Sequence, residues 1–335
     1  MTGTVNRSRS SMRSQLGHSG NIPNTGPFSS RRPHVDPSCW GHDCCPFSRG
    51  SVLAAHGRVL DRRRFELLVG RADPDAVMAA VDGYRNPDGG YGWGLEPDLR
   101  SRTSQPGGAL HAFEVFADLV PVRTGRAAEL CDWLASVSLP DRGLPFALPV
   151  PDPAASAPFW VGADPASSLQ ITAVVAATAH RVGAVDAEVA DHPWLTRATG
   201  YCLAAVRDLG PEPHAMVLAF AAQLLDAAAP TTPGAADLVD VLRPHVPADG
   251  LLHVAGGADD EFMRPLDFAP LPGGPARSLF GPGVVEAELE RLAGAQQPDG
   301  GWPVDFDSYS PAATLEWRGH RTVQALVLLR ANGVL

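Results

Sequence analysis

The chain has no lysine, and all 27 of its basic residues are arginine. A Schiff base, a lysine-linked pyridoxal phosphate and the phosphate-binding lysine of a P-loop are therefore excluded. Arginine, a helix N-terminus or a metal ion would have to hold any bound phosphate. We accordingly predict neither PLP nor a P-loop nucleotide as a cofactor, and expect Mg²⁺ only if the ligand carries a diphosphate.

Long apolar runs are also missing. No stretch reaches the roughly 18 apolar residues that a membrane-spanning helix needs, and the start of the chain lacks the apolar segment of a secretory signal. Cysteine is scarce, with five in all, and Cys131 and Cys202 stand alone in helical patterns. Isolated cysteines are typical of a reduced protein. We therefore predict a soluble, cytoplasmic protein with no membrane span.

The net charge of −10 is unevenly distributed. Residues 1–50 carry six Arg and two Asp, so removing their charge of +4 leaves −14 for the remainder. An acidic body argues against nucleic acid as a partner. The pattern predicts a disordered basic tail over residues 1–51, which a translation start near Val52 would explain, followed by one domain over 52–335.

The tail contains the one cysteine-rich stretch, CWGHDCC. Cysteine and histidine are good zinc ligands, but the spacing of Cys39, Cys44 and Cys45 matches no standard zinc finger. No metal site is predicted.

Residues 52–335 read as helices throughout. Apolar residues recur at helical spacing, and in the first helix Leu53, Val59 and Leu60 are expected to face the core, with Arg and Asp between them. The best short strand candidate is LLHVAG at 251–256, and the proline-rich stretch 263–275 is predicted to be non-helical. The predicted helices cover 53–70, 74–84, 105–119, 124–136, 167–182, 194–207, 213–228, 234–244, 282–295 and 311–331.

A turn signal recurs along the chain. RNPDGGY at 85–91 is nearly repeated as QQPDGGW at 296–302, and weaker copies surround Asp141 and Asp249. The aspartates are 53, 108 and 50 residues apart, so one copy is expected to have eroded near 191–196. Gly ends a helix without Cβ strain, the Asp can accept hydrogen bonds from nearby amides, and the aromatic that follows can pack between hairpins. The repeat predicts five or six helix hairpins that close into a ring.

The stretch QQPDGGW, with Gln296, Asp299, Gly300, Gly301 and Trp302, resembles the QW-type repeat of the squalene/terpenoid cyclase and protein prenyltransferase superfamily. The resemblance implies an all-α fold, an α/α toroid whose central cavity holds a hydrophobic small molecule such as an isoprenoid. Only two short motifs carry it specifically. A repeat of this kind indicates a fold and leaves the reaction open.

The catalytic motifs of that superfamily are missing. No D-x-D-D motif is present, because GGADDEF at 256–262 lacks the first Asp, and D-D-x-x-D fails because position 263 is Met. Neither Cys131 nor Cys202 follows an Asp at the spacing of the prenyltransferase zinc site. The sequence therefore predicts an atypical member with an unassigned reaction.

Polar residues that follow the turns, or lie within otherwise apolar helices, are the candidates for a site. Glu316 and His320 are four residues apart on one helix, where a buried acid and imidazole would shift each other's pKa and act as acid and base. We predict Glu316, His320, Asp98 and Glu114 as catalytic residues. The predicted substrate-binding residues are Trp93, Glu96, Arg100, Gln105, His111, His214, Asp267, Asp305, Asp307, Trp317 and Arg318.

Several alternatives stay open. Glu316 and His320 would equally suit an ordinary polar pair at a helix seam. Asp305 and Asp307 would equally suit loop caps, Glu96 and Asp98 would suit ion pairs with Arg100 and Arg102, and Asp267 would suit a cap. For the whole protein, a non-catalytic binding scaffold of the same fold and a carbohydrate-active α/α barrel remain alternatives to a cyclase-like enzyme.

Overall fold

The computed structural model describes residues 51–335, and this part of the chain is mainly α-helical. The predicted disordered tail and the CWGHDCC stretch lie outside the described residues. The helices are α1 (Ser51–His56), α2 (Val59–Leu68), α3 (Pro74–Asp82), α4 (Pro106–Asp118), α5 (Gly125–Val137), α6 (Pro158–Val161), α7 (Leu169–Gly183), α8 (Ala187–Ala190), α9 (Pro193–Arg207), α10 (Ala215–Ala228), α11 (Val239–Leu242), α12 (Pro265–Phe268), α13 (Val284–Gly294) and α14 (Pro311–Ala331).

The remaining regular structure is short. Single 3-10 turns cover Pro153–Ala155, Ala236–Leu238, Arg243–His245 and Pro275–Leu279. Strand β1 (Leu252–His253) pairs antiparallel with β2 (Phe262–Met263), so the strand candidate at 251–256 is confirmed. None of the described helices combines the length and the apolar character that crossing a membrane requires.

Local signals set most helix starts. The Asp73 side chain accepts a hydrogen bond from the Ala76 amide at 2.9 Å, and the Ser310 hydroxyl accepts one from the Ala313 amide at 3.2 Å. Both are N-caps followed by a proline at the first helical position.

Two helix predictions are corrected by the structure. The predicted helix over 53–70 is two helices, because the chain breaks at Gly57 and Arg58. The proline-rich stretch 263–275 contains the short helix α12, because Pro265 lies at its first position, where a proline has no hydrogen bond to lose.

The repeated turn has one conformation at all four predicted positions. The residue after each aspartate has a positive φ, at Gly89, Arg142, Gly250 and Gly300. In each turn the aspartate Oδ1 accepts a hydrogen bond from the amide two residues later, at 3.0–3.2 Å. The feature that repeats is therefore the backbone geometry, and Arg142 adopts it although the residue is not a glycine.

The aromatic residues after the first and last turns, Tyr91 and Trp302, are buried, as their predicted packing role requires. The Trp302 indole donates a hydrogen bond to the Leu292 carbonyl at 2.7 Å, which ties the turn to α13. No comparable turn lies at 191–196, because helix α9 begins at Pro193.

Helix packing brings distant parts of the chain together. Helix α7 packs against both α4 and α10 through small residues, among them Ala173, Ala176 and Ala177, which are fully buried. Helix α10 also contacts α12, and the last helix, α14, packs against α1 and α2. The two ends of the described chain therefore meet, and α2 and α14 lie next to the loop and helix that follow the first turn.

The turn geometry generates a stability prediction. Replacing Gly89 (φ 90°) by Ala should lower the free energy of unfolding by about 1 kcal/mol, because a Cβ is strained at positive φ. Replacing Arg142 (φ 83°) by Gly should raise it by up to about 1 kcal/mol for the same reason. Chemical denaturation measures both. Gly210→Ala is the control, because an added Cβ there meets no atom and φ is not positive. Equal effects at all three positions would contradict the shared geometry.

Candidate functional site

A cluster of buried and partly buried polar side chains lies where α4 and α14 meet the loop over 95–105, next to α2. The loop supplies Glu96, Asp98 and Arg100, and the helices supply the rest. Eight of the predicted site residues come together here, namely Glu96, Asp98, Arg100, His111, Glu114, Glu316, Trp317 and His320. We call these eight residues the polar cluster.

His111 on α4 is held between two carboxylates. Its Nδ1 lies 2.7 Å from Oε2 of Glu114, and its Nε2 lies 2.9 Å from Oε2 of Glu96. Burial alone would lower the pKa of His111, but the two carboxylates outweigh it and raise the pKa to about 9. His111 is therefore an imidazolium near neutral pH, with each N–H donated to a carboxylate.

Glu114 remains ionised for the complementary reason. Burial would raise the pKa of its carboxyl group, but the positive charges of His111 and Arg64 and the hydrogen bond from His111 hold it well below its usual range. The Glu114 side chain is 20% exposed, and within residues 51–335 no hydrogen bond uses Oε1. This carboxylate therefore has one oriented oxygen and one free oxygen.

His320 on α14 is in the opposite protonation state. Its Nδ1 lies 3.3 Å from NH1 of Arg64, and a guanidinium can only donate, so Nδ1 must accept and the ring proton lies on Nε2. That Nε2 is 3.7 Å from Oε2 of Glu114. Burial lowers the pKa of His320 to about 3, with Glu114 opposing the shift and His111 and Arg64 adding to it. The two histidine rings, 5.1 Å apart, thus form one charged and one neutral imidazole.

Ligand atoms of His111, Glu114 and His320 lie within 4.8 Å of one another, a spacing that a metal ion could bridge. The hydrogen-bond partners of the two histidines favour protons on the ring nitrogens over a bound metal ion. A metal on Nε2 of His320 would place a proton on Nδ1, opposite the N–H of Arg64. His111 Nδ1 is already at hydrogen-bond distance from Glu114. This arrangement suits proton transfer better than metal binding.

Asp98 fixes the surroundings of the cluster. Its Oδ2 accepts a hydrogen bond from the Trp317 indole at 2.7 Å, and its Oδ1 accepts one from the Tyr309 amide at 2.8 Å. Its own carbonyl accepts from the Ala157 amide at 2.8 Å. Burial raises the pKa of Asp98, with these donors opposing the shift. Asp98 joins three chain segments and is a positioning residue in this structure.

Glu316 and His320 do not form the acid–base pair that their spacing predicted. Glu316 turns towards Arg100, with Oε2 2.7 Å from NH2, while His320 faces Arg64 and Glu114. Residues four apart on a helix share a face only approximately. Here the ion pair with Arg100 directs the Glu316 side chain away from His320. The same contact replaces the predicted pairing of Arg100 with Glu96 or Asp98.

The other predicted residues lie outside the polar cluster. Trp93 is half exposed and bonds to Asn86, and Gln105 bonds to the backbone of Leu148. His214 caps α10 and contacts the Ala255 carbonyl, while Asp267 caps α12 by accepting from the Arg264 amide at 2.8 Å. Asp305 pairs with Arg321, Asp307 is exposed, and Arg318 bonds to Asp299.

Helix α2 supplies site residues that were not predicted from the sequence. Val59, expected in the core, is 56% exposed, whereas Asp61 is 0% and Arg64 is 4% exposed. Arg58 pairs with Asp61 at 2.8 Å, and Arg64 pairs with Asp118 of α4 at 2.7 Å. The available signal is the spacing of Arg58, Asp61 and Arg64 by three, which puts three charges on one face. The same spacing of an Asp and two arginines is found on buried helix faces with ion pairs and on faces exposed to solvent, so the sequence does not distinguish the two.

No protein-family model and no curated protein matches the chain. Among solved structures, one described as the crystal structure of a protein from Actinoplanes is similar. The match covers 86% of this chain and 89% of the other, with 16% sequence identity and a TM-score of 0.48. A likeness at this level carries no argument about function, so the resemblance to terpenoid cyclases stays a prediction.

The buried ion pairs generate one prediction. Asp118→Asn should lower the free energy of unfolding by about 3 kcal/mol or more, because it leaves Arg64 charged and buried without its partner. The matched control is Asp240→Asn, which removes one member of an exposed pair with Arg243 and should change stability by less than about 1 kcal/mol. Chemical denaturation of both variants measures the difference, and similar losses would contradict the account.

The two histidines generate a second prediction, on pH. The raised pKa of His111 gives stability that is complete below the unfolded value near 6.5 and is lost as pH rises through about 9. The lowered pKa of His320 gives stability that is present above 6.5 and is lost as pH falls towards about 3. Denaturation from pH 4 to pH 10 should show His111→Gln flattening the alkaline limb and His320→Gln flattening the acidic limb. Unchanged limbs in both variants would contradict the assigned states.

Proposed function

We propose that the protein is an α/α toroid of five or six helix hairpins whose central cavity binds a small molecule with a hydrophobic part. Two observations support the toroid. Helices α4, α7, α10 and α12 pack in sequence, and the last helix returns to α2. A turn of one geometry recurs at four places, after α3, α5 and α13 and between α11 and α12.

The proposed reaction is proton transfer to or from the bound molecule, with Glu114 as the residue that contacts it. The observation that carries this proposal is the free oxygen Oε1 on a carboxylate whose other oxygen lies 2.7 Å from the His111 imidazolium. Perturbed pKa values of neighbouring buried groups are common at acid–base sites, and here they accompany a free carboxylate oxygen.

The chemistry follows from the contacts of this pair. A proton that moves from Nδ1 of His111 to Oε2 of Glu114 leaves a neutral imidazole, whose Nε2–H still bonds to Glu96. In that state the positive charge of His111, which does most to favour the Glu114 anion, is gone, while Arg64 still favours the anion. Rotation of the carboxyl group then presents the proton to the substrate. Trp317, partly exposed beside both histidines, is placed to pack against an apolar or cationic part of it.

The resemblance to terpenoid cyclases and prenyltransferases supports an isoprenoid as the hydrophobic ligand, with Mg²⁺ only if it carries a diphosphate. The buried free thiols of Cys131 and Cys202 suit a reducing compartment, so we place the protein in the cytoplasm as part of the proposal. Nucleic acid is not proposed as a partner.

Hydrogen exchange tests the reaction even when the product is unknown. Ligands are first selected by thermal shift from isoprenoid alcohols, isoprenoid diphosphates with and without Mg²⁺, and oligosaccharides. Each stabilising ligand is then incubated with the protein in D₂O, and its mass is measured by mass spectrometry. The wild type should incorporate deuterium at carbon or form a product, and Glu114→Gln should do so about 100-fold more slowly.

The control is Glu290→Gln, which removes an exposed carboxylate on α13 and should leave the rate unchanged. Exchange at the wild-type rate in Glu114→Gln would sink the acid–base assignment. Stabilisation by oligosaccharides alone would favour a carbohydrate-active enzyme, and stabilisation by no ligand class would favour a binding scaffold without this chemistry.

A further inference from the structure

Arg181 in the last turn of α7 is partly buried and has no acidic partner. Its NH2 group donates a hydrogen bond to Oε1 of Gln223 on α10 at 3.0 Å. Within residues 51–335, Arg181 forms no ion pair, and its Nε and NH1 groups have no hydrogen-bond partner although neither is fully buried. Arg181 therefore keeps a charge that is not ion-paired and unused donors that face accessible space.

Other arginines of the same protein show what a structural guanidinium looks like. Arg58 and Arg64 are also buried, and each is neutralised by an aspartate at 2.7–2.8 Å. Taking a cation out of water is unfavourable, so a buried arginine is ordinarily paired. Burial lowers the pKa of Arg181, with Glu114 and Asp226 opposing the shift from a distance. The absence of an acidic partner distinguishes Arg181 from these two residues.

The guanidinium is nevertheless held in place. The Gln223 side chain that accepts from Arg181 donates its own Nε2–H to the Asp267 carbonyl at 2.8 Å. A chain of neutral hydrogen bonds thus crosses from α7 through α10 to α12 and orients the arginine without cancelling its charge. A ligand-binding arginine needs this combination of fixed position and free charge.

Neither carboxylate near Arg181 forms an ion pair with it. Glu114 lies against His111 through Oε2, and Asp226 accepts a hydrogen bond from the Ala276 amide at 2.6 Å through Oδ1, while its Oδ2 has no partner within residues 51–335. The C-terminal end of α7 carries only a partial negative charge, about half an elementary charge, which offsets part of the guanidinium charge. A full negative charge is still missing beside Arg181.

We propose that Arg181 binds an anionic oxygen group of the ligand, a carboxylate or a phosphate, with Gln223 as its positioning residue. Gln223 takes only one N–H of NH2, so one of the two guanidinium edges, Nε with NH2 or NH1 with NH2, keeps a pair of free N–H donors that suits either group. The proposal deepens the proposed function, on which it rests for the role of the ligand. It makes the substrate an anion that Arg181 binds on α7 while Glu114 on the adjacent α4 contacts its reacting part.

Anion binding is measured without any reaction. Thermal shift of the full chain is recorded against acetate, succinate, inorganic phosphate and pyrophosphate, each compared with chloride at the same ionic strength. The wild type should show a saturable rise in Tm with at least one of these anions, and Arg181→Gln should lose it. Arg197→Gln removes an equal charge from the exposed face of α9 and should keep the rise. Preference for the carboxylates or for the phosphates identifies the anionic group.

A second variant keeps the test valid if Arg181→Gln fails to fold. Gln223→Glu places a carboxylate 3.0 Å from the guanidinium in nearly the same shape. The new ion pair offsets the lost hydrogen bond from Gln223 to the Asp267 carbonyl, so the variant should fold, and it should weaken anion binding at least 10-fold. A rise in Tm that is equal in the wild type, Arg181→Gln and Gln223→Glu, or absent from the wild type, would overturn the proposal.

The outcome is distinguishable from a failure of the acid–base assignment. Glu114→Gln should still bind the anion, because Arg181 does not depend on Glu114 for its position. Loss of anion binding in Arg181→Gln together with unchanged deuterium exchange in Glu114→Gln would support the anion site and remove the proton-transfer role.

Discussion

The His111 imidazolium joins helix α4 to the loop that follows the first turn by its hydrogen bond to Glu96 at 2.9 Å, and it holds Glu114 on its own helix at 2.7 Å. Other contacts of the cluster depend on these two. Glu96, once fixed, accepts the Asp98 amide at 3.0 Å through its other oxygen. Asp98 then holds the Trp317 indole and the Tyr309 amide, which secures the start of α14. The position of His320 opposite Glu114 follows from that.

Charge in this region is balanced in one part and left over in another. Arg58 and Arg64 are matched one to one by Asp61 and Asp118, which is the arrangement that a low dielectric demands. Glu96 and Glu114 instead share the single positive charge of His111, while Arg181 on the adjacent helix has no acid. The Arg64–Asp118 pair holds α2 and α4 together, and the Arg58–Asp61 pair lies at the start of α2. The charges without a full partner, on the two glutamates and on Arg181, are the ones that a ligand can neutralise.

The helices were largely predictable from the sequence because their signals are local. N-caps such as Asp73 and Ser310 act within one turn, and the repeated Asp turn is fixed by a residue at positive φ and an amide two residues later. The four turns are visible in the sequence because glycine and aspartate mark them. Even Arg142, where a glycine is absent, keeps the same backbone.

The site was harder to predict because its contacts are distant in sequence. Asp98 and Trp317 are 219 residues apart, and Arg64 and His320 are 256 apart. Spacing along α14 suggested Glu316 as the partner of His320. In the structure Glu316 instead pairs with Arg100 and His320 contacts Arg64, and both arginines come from other segments of the chain. Arg181 gives no sequence signal for a related reason, since an arginine in the last turn of a helix has an ordinary explanation in the helix dipole. Its missing partner is visible only in three dimensions.

The protonation states of the two histidines are the most direct test of this account. Nitrogen-15 NMR of the imidazole side chains at pH 7.5 distinguishes protonated from bare ring nitrogens. We expect His111 to carry protons on both nitrogens and His320 to carry one, on Nε2, with assignment through His111→Gln and His320→Gln. A neutral His111 at this pH, or a proton on Nδ1 of His320, would contradict the central claim that Glu114 lies between one charged and one neutral imidazole.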